Sequence, residues 1–217
     1  LSRVLVETTG LADPAPVLQS IMGHPVLVQA FRLDGVVTLV DAVNGEATLD
    51  AHLEAVKQAA VADRIVLTKA DMADGDGVGT LKARLRALNP GARIVDARDA
   101  NAAALLDCGL YDPATKSADV RRWLGEEAAH GHDHHHRHDH HDHAHRHDSR
   151  VRTHTLVHDG PVAFSAIDMF LDLLRSVHGD KLLRMKGIIE LREDPSRPLV
   201  VHGVQKLLHP PARLPAW

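Results

Sequence analysis

Short apolar runs that break off into polar turns, with helix-patterned sequence between them, constrain the first half of this chain. Val4-Leu5-Val6 runs into Glu7-Thr8-Thr9-Gly10, and Ile65-Val66-Leu67 runs into Thr68-Lys69-Ala70-Asp71. Between them Ala51, Leu53, Val56 and Ala60 recur at helical spacing, as do Leu81, Leu85 and Leu88 ahead of Asn89-Pro90-Gly91. The alternation predicts α/β architecture, a parallel sheet covered by helices, with strands at Val4–Glu7, Gly35–Asp41, Arg64–Thr68 and Ala92–Val95. A helix is expected from Pro16 to Met22, and Gly75-Asp76-Gly77-Val78-Gly79-Thr80 reads as a flexible connection. Turns at the carboxyl ends of such strands are where open α/β sheets bind ligands.

Two of those turns carry chemistry. An acid at a strand end suits Mg²⁺, and a glycine just beyond it offers a backbone N–H to a γ-phosphate, which nominates Glu7 and Gly10. Asp71 can accept two hydrogen bonds from the N1–H and amino edge of guanine, a pattern adenine cannot match. Lys69 can lay its stem along a purine face, and the Thr68 hydroxyl can brace the loop. Each turn alone is also what an ordinary strand followed by a polar loop looks like; their order is what makes the pair informative.

Extended stretches then carry a family resemblance: Glu7-Thr8-Thr9-Gly10-Leu11-Ala12-Asp13-Pro14, Val37-Thr38-Leu39-Val40-Asp41-Ala42, Gln58 with Ala62-Asp63, Arg184-Met185-Lys186-Gly187 and His202-Gly203-Val204-Gln205. The chain resembles the CobW-type GTPases, P-loop proteins associated with metal delivery to enzymes and cofactors. The resemblance implies a partial P-loop NTPase sheet, GTP and Mg²⁺ as ligands of Glu7, Gly10, Thr68, Lys69 and Asp71, and a switch role for the segment after Gly10. It also exposes departures. The family's Gly-x-x-x-x-Gly-Lys-Ser/Thr loop and Cys-x-Cys-Cys motif do not occur in these 217 residues, and Thr68 stands where an asparagine is usual. Leu1 in place of Met, directly ahead of a core-like run, leads to the expectation of a fragment of a longer protein, with the end of its last domain absent as well.

Residues 130–147 hold eleven histidines: His130, His132, His134, His135, His136, His138, His140, His141, His143, His145 and His147. Neutral imidazoles bind Zn²⁺, Co²⁺, Ni²⁺ and Cu²⁺, and His-x-His spacing lets many combinations close around one ion. The tract therefore reads as a metal-gathering segment whose affinity falls as pH drops through ~6.5, where protons compete for the same nitrogens. Its internal position and interspersed Asp, Arg and Ala set it apart from an added tag, whereas a solvated polar linker has the same composition.

That tract divides the chain into a partial G domain over 1–115, a His-rich linker over 116–150 and a small α+β domain over 151–217. In the last, Val151-Thr153-Thr155-Val157 alternates as a strand, Ile167, Phe170, Leu171 and Leu174 form a helical face, and 182–190 and 199–204 read as strands. Arg184 and Lys186 face the first domain or a client, or else form a solvated basic strand face.

A net charge of −4 and scattered basic residues give no basis for nucleic-acid binding. No stretch approaches the roughly 18 apolar residues of a membrane span, and the single cysteine, Cys108, suits a reducing cytoplasm. The expectation is a cytoplasmic GTP-hydrolysing metallochaperone carrying Zn²⁺ or Co²⁺, with Ni²⁺ possible, to a client metalloprotein or an enzyme of a cobalt-cofactor pathway; this fragment alone is expected to be inactive. No residue presents itself as a catalytic base. The alternatives are a histidine-rich metal buffer on a non-catalytic GTPase scaffold and a client-specific activator that transfers no metal.

Overall fold

The computed structural model describes residues 2–106, 108, 151–209 and 211–217. Its first unit runs α1 (Pro14–Gly23), α2 (Pro25–Ala30), β1 (Val37–Asp41), α3 (Gly45–Ala51), α4 (Leu53–Val61), β2 (Arg64–Thr68), α5 (Gly75–Leu88), β3 (Arg93–Asp96) and α6 (Ala102–Leu105). The strands form a parallel sheet in the order β1-β2-β3. Central β2 is the apolar run Ile65-Val66-Leu67, buried on both faces as a parallel strand needs. Helices α3, α4 and α5 close over it through Leu49, Val56, Ala59, Leu81 and Leu85. Gly45 opens α3 because a Cβ there would stand 2.9 Å from Leu81 Cδ2 and 3.1 Å from Val40 Cγ1.

The second unit holds α7 (Phe164–His178), β4 (Met185–Leu191), β5 (Asp194–Val204), β6 (Leu207–Leu208) and β7 (Ala212–Arg213). The strands form an antiparallel sheet, β4-β5-β6 with β7 also on β5. Helix α7 sets Leu171 and Ile167 against Leu191, Leu199 and Val201. Gly203 permits the close β5–β6 turn, since a Cβ there would meet Leu207 O at 2.8 Å.

Four expectations are corrected. Residues 4–7 form no strand: Val4, Leu5 and Val6 are exposed and pair with no strand among the described residues, because an apolar run becomes a strand only on a neighbour's ladder, and among those residues β1 pairs with β2 alone. Val37 and Leu39, on one face of β1, are likewise uncovered. Residues 151–157 are not a strand either; Val151 packs against the first core, Thr153 Oγ1 donates to Leu88 O at 2.8 Å, and Leu156 and Val157 are exposed. The glycine-rich 75–80 stretch is the start of α5, capped by position by Asp74, with Asp76 in the first turn and Val78 packed on the core. The single helix expected from Ala51 to Ala60 is two, α3 and α4, parted at His52, whose backbone is extended.

The two units meet on a charged junction. Asp63, buried just ahead of β2, accepts from Arg184 Nη2 at 2.9 and 2.8 Å and from Lys186 Nζ at 2.6 Å, while its Oδ2 accepts Val36 N at 2.9 Å. Arg184 Nη1 also donates to Val61 O. Arg184 and Lys186 thus face the first unit rather than solvent. Burial opposes the charge on Asp63, but the two cations outweigh it and hold its carboxyl below the usual range. Burial, aided by Arg184, pushes Lys186 down against the pull of Asp63. Beside these groups α1 inserts Ala15, Leu18 and Met22 between Val61 and Val204, and Gln19 Nε2 donates to Gln205 Oε1 at 2.7 Å.

Candidate functional site

The carboxyl ends of β1, β2 and β3 converge, and the parallel register brings Asp41 opposite Thr68. Beyond Thr68 the chain turns at Lys69, which sits at φ 57°, a left-handed conformation that costs a non-glycine residue about 1 kcal/mol. Lys69 Nζ donates to Asp41 Oδ2 at 2.5 Å. Asp41 Oδ1 also accepts Val43 N at 2.8 Å and Asn44 N at 3.2 Å, so one carboxylate shapes the β1–α3 turn and fixes the lysine. The hydrogen bond from Lys69, helped by those amides against a small burial penalty, lowers the Asp41 pKa to about 2. Thr68 Oγ1 donates to Val40 O at 3.4 Å, bracing the same strand ends.

Asp71 is exposed, and no hydrogen bond among the described residues engages its carboxylate. Across from it the β3 loop places Arg98, bound to Asp96 through Nε at 3.0 Å and Nη2 at 2.9 Å. Those bonds lower the Asp96 pKa to about 2, and Arg98 is raised by Asp96 first and then by the charges of Asp71 and Asp99. The result is an open acceptor, a lysine stem held by a second acid and a nearby guanidinium, a donor set that fits the polar edge of guanine.

Glu7 and Gly10 are joined to that cluster by no hydrogen bond or ion pair among the described residues. Glu7 is exposed on irregular backbone. Gly10 lies in a turn closed by Ala12 N donating to Thr9 O at 3.0 Å, and α4 grips this turn: Gln58 Nε2 donates to Gly10 O at 3.0 Å and Ala12 O at 2.9 Å. Lys57 Nζ pairs with Asp13 Oδ2 at 2.6 Å, and Asp13 caps α1 by accepting Ala15 N at 3.0 Å. Burial works against the charge on Asp13, but Lys57 and the cap outweigh it and lower its pKa. An unpaired carboxylate at Glu7 and open N–H groups in the Gly10 turn are chemically suited to Mg²⁺ and phosphate.

The eleven histidines from His130 to His147 lie outside the described residues. Among the described residues no group of three or more His, Cys, Asp or Glu could hold a metal ion. Sequence reading passed over Asp41, Lys57, Gln58, Asp63 and Arg98 as functional residues. Asp41, an acid at a strand end in the same pattern as Glu7, offered a chemical signal, whereas Gln58 and Asp63 entered only within the stretches that carry the family resemblance.

Two family models match, in chain order. The CobW/HypB/UreG nucleotide-binding domain covers residues 1–96, and the cobalamin synthesis protein cobW C-terminal domain covers residues 151–217. The chain belongs to the CobW family. Among CobW relatives, the zinc chaperone YjiA of Escherichia coli is 32% identical over 205 residues, spanning 94% of this chain and 59% of YjiA. The zinc-regulated GTPase metalloprotein activator 1 of Saccharomyces cerevisiae is 30% identical over 151 residues, 60% of this chain and 35% of the activator. The crystal structure of Zn(II)-bound YjiA GTPase from E. coli superposes with a TM-score of 0.65 at 26% identity, covering 96% of this chain and 59% of the YjiA chain. The chain thus spans about 59% of the length of YjiA. CobW membership accounts for the parallel sheet with helices followed by an antiparallel C-terminal sheet.

Proposed function

We propose that the full-length protein is a cytoplasmic GTP-binding and GTP-hydrolysing metallochaperone that couples nucleotide state to the binding and delivery of Zn²⁺, with Co²⁺ or Ni²⁺ as lesser cargo. The observation that carries this reading is the open Asp71 carboxylate beside a lysine fixed by Asp41, which is built to read a base. Asp71 accepts from the guanine edge, Lys69 covers its face, and Thr68 keeps the loop on β1. A base lacking the two donors leaves Asp71 desolvated and unpaired, and that difference discriminates against adenine.

Glu7 would orient Mg²⁺ through water and Gly10 would meet the γ-phosphate with its N–H. The chemistry supplied by Mg²⁺ at Glu7 would be neutralisation of phosphate charge. The phosphate loop and the thiolate motif of the family pattern do not occur in these 217 residues. The histidines from His130 to His147 would gather the metal, and the names of the relatives favour zinc. Helix α7 and the sheet beyond it would serve a client metalloprotein. No membrane or nucleic-acid partner is invoked; no helix among the described residues is long and apolar enough to cross a membrane.

A second reading, a metal buffer on an inert scaffold, is favoured by the density of histidines alone. GTP hydrolysis by the full-length protein, with and without Zn²⁺, Co²⁺ or Ni²⁺, separates the two. Metal-responsive turnover of GTP but not ATP, lost in Asp71→Ala, is the expected result. Tight metal binding with no GTP turnover would leave the buffer.

A further inference from the structure

The turn carrying Gly10 is polarised. Three of its carbonyl groups are engaged: Thr9 O accepts Ala12 N, and Gly10 O and Ala12 O both accept from the single Gln58 amide. Its donors are not. The N–H groups of Gly10 and Leu11 donate no hydrogen bond among the described residues, and Leu11 is 49% exposed. A turn with acceptors tied back and donors facing outward presents partial positive charge to an anion. Asp13, just after the turn, is neutralised by Lys57 Nζ at 2.6 Å.

Gln58 is itself well placed to impose this geometry. It sits on α4, whose Val56 and Ala59 are fully buried, and its own carbonyl accepts from Thr38 Oγ1 of β1 at 2.8 Å. The amide therefore projects from a fixed base. Both carbonyl contacts come from its Nε2, so the side chain spends its two donors on the turn. On the far side the turn runs into α1, which is held by the C-terminal sheet through Leu18, Met22 and the Gln19–Gln205 pair. Two anchors from different units thus set one peptide segment.

We propose that Gln58 is a positioning residue for the γ-phosphate, holding the Gly10–Leu11 peptide by its carbonyl so that the opposite N–H, that of Leu11, faces the nucleotide beside the N–H of Gly10. The proposal rests on the reading of Gly10 given above. Gln58 touches no substrate; it acts by pre-orienting a donor that otherwise has to be ordered on binding. GDP lacks the phosphate that this turn meets, so the effect is confined to the triphosphate.

Titration of the full-length protein with GTPγS and with GDP provides the test. Gln58→Met keeps length and helix propensity but removes both donors. Its affinity for GTPγS should fall about tenfold, the worth of two neutral hydrogen bonds after competition with water. GDP affinity should stay as in wild type, while the melting temperature should fall slightly, because both hydrogen bonds form without nucleotide. Gln58→Glu, which sets a carboxylate against two carbonyl oxygens, should lose more. A merely structural glutamine would weaken both nucleotides together. An unchanged GTPγS-to-GDP ratio in both variants, or an equal loss for the two nucleotides, overturns the proposal; guanine binding that remains sensitive to Asp71→Ala then leaves the functional reading standing. Failure of the wild-type protein to bind either nucleotide overturns the reading, and Gln58's role with it.

Discussion

Lys69 is held in a left-handed turn with its ammonium on Asp41, 28 residues earlier in the chain. The ion pair is half exposed, so its direct contribution to stability is small. Its value lies in orientation, since a tethered ammonium keeps the lysine stem at the strand ends. Asp41→Asn should weaken GDP binding by the full-length protein about fivefold without lowering its melting temperature, read by fluorescence titration. Unchanged affinity would make Asp41 a turn-forming residue only. At this scale Lys69 and Asp71 could be nominated from side-chain type within one short motif. Asp41, Gln58 and Arg98 were not, because each acts through a partner that only the folded chain supplies.

Helix α5 shows how an element can defy its local composition. Gly75, Gly77 and Gly79 each cost a helix about 1 kcal/mol relative to alanine, which is why the stretch reads as a connection. Burial of Leu81 and Leu85 on β2 and α4, worth roughly 2 kcal/mol per side chain, outweighs that cost. A Cβ at Gly77 meets nothing within 4 Å. Gly77→Ala should therefore stabilise the protein by about 0.5–1 kcal/mol, seen as a higher urea midpoint at constant slope. The opposite failure occurs at the apolar run of residues 4–7 and the alternating residues 151–157, which gain no ladder among the described residues. Alternation announces a face that can be buried, but hydrogen-bond partners decide whether a strand forms. Strand β2, by contrast, occupies Arg64–Thr68 as its sequence indicates, since a run buried on both faces leaves little alternative.

For the whole molecule the decisive contact is the junction centred on Asp63. Next to it His202 stacks on His209 with ring centroids 5.1 Å apart. Burial, reinforced by Arg184, His209 and Lys186 against the opposing charge of Asp63, lowers the His202 pKa to about 4. In the unfolded chain the same imidazole takes up a proton near ~6.5. His202 therefore contributes full stability above about pH 6.5 and loses it as pH falls toward 4. Urea midpoints at about pH 7 and about pH 4.5 should drop less on acidification in His202→Gln than in wild type. Equal drops would show that His202 is not the titrating group. The sequence by itself determined the α/β order of the first unit, the strand end that runs into Thr68-Lys69-Ala70-Asp71 and the family, because strand cores and motif order are written in neighbouring residues. Tertiary structure alone decided that Arg184 and Lys186 turn inward onto Asp63, that Gln58 grips the Gly10 turn and that residues 4–7 lie off the sheet. Those outcomes depend on which distant groups become neighbours, and a buried charge or an open strand edge is satisfied only by what the fold places beside it.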